Sequence, residues 1–196
     1  MRRLLQLASV ALASALAALT VGATPAVASV PPAHAAAAAA TNDCSVVTDT
    51  SINFEYKCDF LIFPAADNAQ GAQLKQKVFN QAVTRFSDYF PMQGCGWVLT
   101  VGMQCNLLPG GPYGPHAPVK VTEIGTNYYF LRSLPGHPEG EDRTIQFTVY
   151  IYNGELALGV RARGKPSYAA KLTVSQGGAT NIWGNYARNL KAIQHL

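Results

Sequence analysis

Gly184-Asn185-Tyr186 brings together two features suited to holding a flat ligand: a glycine whose backbone can be approached closely and an aromatic face for stacking. The pattern around it predicts a strand-to-helix turn, where a backbone edge and a ring face are offered together. Elsewhere the residues that carry chemistry are sparse. His116 and His137 sit in Pro/Gly-rich loops. Glu139 and Arg143 are four apart, but Pro138 and Gly140 place them in a loop rather than on one helix face. Neither G-x-S-x-G nor H-E-x-x-H occurs. The cysteines are Cys44, Cys58, Cys95 and Cys105. With no C-x-x-C pair and scattered histidines, no metal is expected, and no cofactor. An even cysteine count in an exported chain favours two disulfides. Their connectivity is open, with the local pairing Cys44–Cys58 and Cys95–Cys105 preferred.

The elements that must position these residues follow a leader. Residues 1–28 read as a secretory signal peptide: Arg2 and Arg3, an Ala/Leu-rich apolar run, then the small-residue site Ala26-Val27-Ala28. The run is rich in alanine and ends at Thr24-Pro25, which argues against a membrane anchor and for a secreted, extracellular protein. Residues 29–41 are an Ala/Pro-rich leader with little apolar area to set against the entropy of ordering, and are expected to be disordered. Residues 42–196 form one domain, long enough for a single core. Loss of Arg2 and Arg3 lowers the formal charge from +4 to about +2. There is no Lys/Arg run, so a dedicated DNA-binding module is disfavoured.

Within the domain, residues 52–63 predict a strand through the alternation of Phe54, Tyr56, Cys58, Phe60 and Ile62. Asp67 or Asn68 offers an N-cap to a helix over 72–89 with Leu74, Val78, Ala82 and Phe86 on one face, and Pro91 stops it. Residues 94–118 predict strand fragments and loops pinned by a disulfide. Residues 119–132 and 144–152 predict strands, the latter with Ile145, Phe147, Val149 and Ile151 on one face. Asn153-Gly154 is the strongest hairpin signal and leads into a strand over 155–164. A third strand is expected over 167–174 and a terminal helix over 187–196. This order gives an α+β fold with a mostly antiparallel sheet, a long helix after the first strand and a terminal helix.

Several segments together resemble the ribosome-inactivating protein family, the ricin A chain and Shiga toxin group. Residues 78–86 are placed like the family's first long helix. Leu158-Gly159-Val160-Arg161 matches the end of its N-x-Y-V-x-G-Y-R strand, and Gly184-Asn185-Tyr186 with Arg188 and Leu190 matches its G-N-Y-x-R-L segment. The resemblance implies an rRNA N-glycosylase, a hydrolase that removes an adenine from large-subunit rRNA and so inhibits translation, with the ribosome as partner. It places Tyr186 as a catalytic stacking aromatic. Ala157 and Gly184 would bind the adenine through their backbones, and Asn185 would shape the pocket. The second stacking position falls at Glu155 or Leu156, and no Glu has an Arg three residues later. The resemblance therefore implies a weak or inactive toxin-like chain, incomplete at its C-terminus. The alternative is a non-catalytic, disulfide-stapled secreted binding or inhibitor domain.

Overall fold

The computed structural model describes residues 41–111 and 114–195. The signal peptide and nearly all of the leader expected from the sequence lie outside these residues. The domain is α+β, built on a seven-stranded sheet in the order β1-β2-β7-β6-β5-β4-β3, with every neighbouring pair antiparallel. The strands are β1 (Asp43–Asp49), β2 (Phe54–Pro64), β3 (Gln104–Leu107), β4 (Ala117–Ile124), β5 (Tyr128–Ser133), β6 (Thr144–Tyr152) and β7 (Glu155–Gly164). Between β2 and β3 lie α1 (Ala69–Thr84) and α2 (Phe86–Tyr89). After β7 come α3 (Tyr168–Ser175), α4 (Gly178–Lys191) and a 3-10 turn at Ala192–His195.

Period-two alternation decides which face of the sheet is covered. On β6, Phe147 and Val149 are buried, and on β7 so are Leu156, Leu158, Val160 and Ala162. The other face is polar, where Tyr150 donates to Asp59 Oδ1 at 2.7 Å and Glu55 pairs with Arg161. Asn153-Gly154 makes the β6–β7 hairpin with both residues at positive φ (50° and 79°), as a type I′ turn requires. Bulges interrupt the register in β1–β2, β2–β7 and β4–β5, and bulges increase local twist.

Asn68 caps α1 by accepting the Gly71 N–H at 3.0 Å. The helix expected over 72–89 breaks at Arg85 (φ −131°, ψ 44°), giving α1 and the short α2. Both disulfides have the local pairing: Cys44–Cys58 joins β1 to β2, and Cys95–Cys105 joins the preceding loop to β3.

Three further expectations are corrected. Residues 167–174 are not a third strand but lead into α3, because Ser167 accepts the Ala170 N–H at 3.1 Å and caps a helix. Residues 119–132 are two strands, turning at 125–127. Gly184-Asn185-Tyr186 is not a strand-to-helix turn and lies inside α4. That helix begins at Gly178, directly after Gly177 turns the corner from α3 with φ 73°. Its buried residues Ala179, Trp183, Tyr186, Ala187 and Leu190 recur at helical spacing and pack mainly over β2.

Candidate functional site

The residues singled out by sequence are not gathered round one cleft. Tyr186 is 1% exposed. Its ring lies 5.2 Å from that of Phe90 and 5.8 Å from that of Phe147, and its hydroxyl accepts from the Tyr129 hydroxyl at 3.2 Å. Burial pushes both phenols above their ordinary pKa, so this is a neutral pair inside an aromatic core. Ala157 lies on β7 opposite Leu61 of β2 and Tyr150 of β6. A central strand has both backbone edges in the ladder, which leaves little of Ala157's backbone to read a base. Gly184 sits where α4 crosses β2, and a Cβ there would come 3.3 Å from the Phe60 ring. Asn185 is exposed and accepts from Arg188. Of the four, Gly184 borders an open groove of about 270 Å³ beside Asn42, Phe60 and Arg188.

The site with more enclosed geometry lies elsewhere. A cavity of about 230 Å³ separates the covered face of the sheet from α3 and α4. Its walls are mostly apolar: Leu107, Val119, Leu131, Ile145 and Ala162 from the strands, and Ala169, Ala179, Ile182 and Trp183 from the helices. The residues expected in strand alternation supply one wall, and the stripe of α4 supplies the other.

One end is polar. There the 134–143 connection between β5 and β6 folds over, contributing His137, Pro138, Glu139 and Arg143. Ser133 fixes this connection, its hydroxyl donating to Gly140 O at 2.7 Å while accepting the Arg143 N–H at 2.8 Å. Ser167 ties it to α3 by donating to Glu139 O at 2.7 Å. Arg143 is 5% exposed, with its guanidinium carbon 5.8 Å from the centre of the Phe54 ring. Its Nη1 donates to Lys165 O at 2.6 Å, and its Nε stands 3.7 Å from Glu139 Oε2. Its Nη2 is buried without a partner.

Burial sets the titration of this end. It raises the pKa of Glu139, with the charge of Arg143 acting against it. It lowers His137 to about 4, helped by the charge of Arg143. The Tyr56 phenol beside them is pushed well up, first by burial and then by Glu139. At neutral pH the imidazole and the phenol at this end of the cavity are therefore neutral, beside the Arg143 guanidinium. The spacing of Glu139 and Arg143 was visible in the sequence. What it did not reveal is that their loop is folded onto the sheet and α3, where Arg143 becomes buried and Glu139 half-buried.

These features define an α+β domain whose sheet and C-terminal helices enclose a mostly apolar cavity with a buried arginine paired to a half-buried glutamate. Comparison of the fold finds the same architecture in protein MLL2253 from Mesorhizobium loti, with a TM-score of 0.51 and 12% identity over 72% of this chain and 96% of that one. Protein Ms6760 from Mycobacterium smegmatis is similar at a TM-score of 0.50 and 11% identity, covering 76% and 94% of the two chains. Ara h 8.0201 matches at a TM-score of 0.46 and 13% identity, covering 74% and 98%. No protein-family model matches the chain, and no curated protein matches it. The resemblance to ribosome-inactivating proteins is thereby corrected: the fold is similar to that of the Mesorhizobium loti and Mycobacterium smegmatis proteins, and the short motif matches fall on a core strand and a core helix.

Proposed function

We propose that this protein is a non-catalytic, disulfide-stapled binding domain that encloses one small, mostly apolar molecule between its sheet and its C-terminal helices. The observation that carries this reading is the cavity of about 230 Å³ with apolar walls. Protein interiors are otherwise packed with few voids larger than a water molecule, so a space of this size invites an occupant. The polar groups at its end support binding over chemistry. The Ser133 hydroxyl is engaged as donor and acceptor, the Thr173 hydroxyl donates to Ala169 O at 2.9 Å, and His137 is a weak base. Depurination of rRNA and the ribosome as partner lose the motif match that suggested them. Export of the domain accords with its two disulfides. Among the described residues no helix is long and apolar enough to cross a membrane.

Thermal unfolding with and without propylbenzene tests the reading. A ligand that binds only the folded state raises the midpoint as its concentration passes Kd. Wild-type protein is expected to show a saturable rise, and Ala162→Leu, which fills the cavity from β7, is expected to abolish it. A midpoint unmoved by propylbenzene in the wild type, or an equal rise in both proteins, would count against the cavity as a binding site.

A further inference from the structure

The loop between α2 and β3 carries an apolar tip that plays no part in the cavity. Trp97, Val98 and Val101 are 56%, 42% and 62% exposed, and they surround the buried Leu99 in the sequence. Single apolar side chains are ordinary on a protein surface, but a tryptophan and two valines on one short loop make a patch. The chain around the tip is also free of formal charge. Residues 89–119 contain no Asp, Glu, Lys or Arg.

The tip is held in place from both sides. Trp97 O accepts the Phe86 N–H at 2.6 Å and Val83 O accepts the Leu99 N–H at 2.9 Å, which ties the loop to the end of α1 and the start of α2. Towards the sheet, Gly102 N–H donates to Val121 O at 2.8 Å, and Val121 N–H donates to Met103 O at 2.9 Å. The Cys95–Cys105 disulfide closes the base of the loop. The cation beside the tip is already paired. Arg85 Nη2 stands 2.7 Å from Asp88 Oδ2, with its guanidinium carbon 5.8 Å from the centre of the Trp97 ring. Burying a pre-positioned tip costs little conformational entropy, and the tip itself has no charge to strip of water.

The size of the patch decides between kinds of partner. Three partly exposed side chains fall well short of the about 800 Å² that each partner gives a stable protein interface. A bilayer needs no such area, because a few apolar side chains inserted at the headgroup level give weak, reversible binding, and Trp is enriched at that level. We propose that the tip formed by Trp97, Val98 and Val101 docks the domain reversibly on a phospholipid bilayer, by apolar insertion rather than by headgroup charge. This does not depend on an occupied cavity.

Co-sedimentation of the exported chain with phosphatidylcholine vesicles tests the proposal, with quenching of tryptophan emission by brominated phosphatidylcholine as a second readout. Of the two tryptophans Trp97 is exposed and Trp183 is buried, so quenching reports on the tip. The wild type is expected to bind and to be quenched. Its affinity should change by less than about threefold when about a third of the lipid is phosphatidylglycerol, or when salt is raised from about 0.1 M to about 1 M. Full burial of an apolar side chain corresponds to roughly tenfold to a hundredfold in affinity, and a carboxylate opposes insertion. Val101→Asp is therefore expected to weaken binding at least about tenfold and to abolish quenching. Position 101 is exposed, so the urea midpoint should match that of the wild type; Val101→Ser, without a charge, should bind with intermediate affinity. Failure of the wild type to sediment with phosphatidylcholine, or equal binding by Val101→Asp, overturns the proposal. Binding confined to phosphatidylglycerol at low salt also overturns it, because cations elsewhere on the domain then carry the contact. Self-association in sedimentation equilibrium that Val101→Asp abolishes, with no binding to vesicles, overturns it in favour of a protein interface.

Discussion

Tyr186 has the chemistry of a stacking platform and the surroundings of a core residue. Its ring packs edge-on against Phe90 and Phe147, and its hydroxyl is taken up by Tyr129. Tyr186→Phe removes only the acceptor for Tyr129, so it is expected to cost about 1 kcal/mol in a urea titration. The affinity for propylbenzene should stay unchanged. Lost binding at unchanged stability would instead move Tyr186 into the site. Gly164 illustrates the converse, a residue with no chemistry of its own on which the site depends. A Cβ at Gly164 would fall 2.6 Å from Arg143 Cγ and 3.0 Å from Arg143 Cα. The side chain can swing aside, but the Cα belongs to the backbone just before β6 and yields less readily. Gly164→Ala is therefore expected to cost about 1–3 kcal/mol by overpacking, read from the same titration.

At the scale of elements, the polar end is positioned by the junction of the β5–β6 connection with α3, and Ser167 makes that junction. One hydroxyl accepts the Ala170 N–H to cap α3 and donates to Glu139 O. Ser167→Ala loses both bonds and is expected to cost about 1–2 kcal/mol. Ser167→Asp keeps the cap but has no proton to donate, so it should fall between the two in stability. Amide hydrogen exchange over 137–141 should quicken in both variants; unaltered exchange there would remove Ser167 from the positioning of the loop. Ser167 also marks where sequence and structure part. Thr173-Val174 favours strand by β-branching, and the cap with its tertiary bond overrides that preference. In α4, Gly178, Asn181, Gly184, Asn185 and Asn189 are poor helix formers, which hid the start of the helix although its apolar stripe has helical spacing. The edge strand β1, largely exposed and polar, carried no alternation to read. By contrast β6, β7 and their hairpin were legible, because one face is buried and Asn153-Gly154 fits only a narrow set of turns. The candidate site was legible only as the spacing of Glu139 and Arg143. The burial of that pair depends on contacts with β7 and α3, which no local pattern encodes.

For the whole molecule, closing the cavity with a loop that carries His137 and Glu139 couples global stability to pH. The unfolded chain protonates His137 near the ordinary value of 6.5, whereas the folded chain does so only at about 4. Between those values the unfolded state binds more protons, so this group removes stability as pH falls from 6.5 toward 4. Discounted for the partial exposure of the ring, the loss is on the order of 1–2 kcal/mol. Glu139 acts in the opposite sense. Its folded pKa is raised above the ordinary 4.5, chiefly by burial, so just above 4.5 the folded state holds the extra proton and gains stability as pH falls. The wild-type curve is the difference of the two, and single substitutions separate them. His137→Asn keeps an acceptor for the Glu139 N–H, which His137 Nδ1 now accepts at 3.2 Å, and removes the titration. Glu139→Gln removes the compensating group. Urea midpoints at pH 7 and pH 4.5 should therefore fall less on acidification in His137→Asn than in the wild type, and more in Glu139→Gln. Variants that lose stability in parallel with the wild type would mean that neither group titrates inside the fold, and that the loop does not close over the cavity in solution.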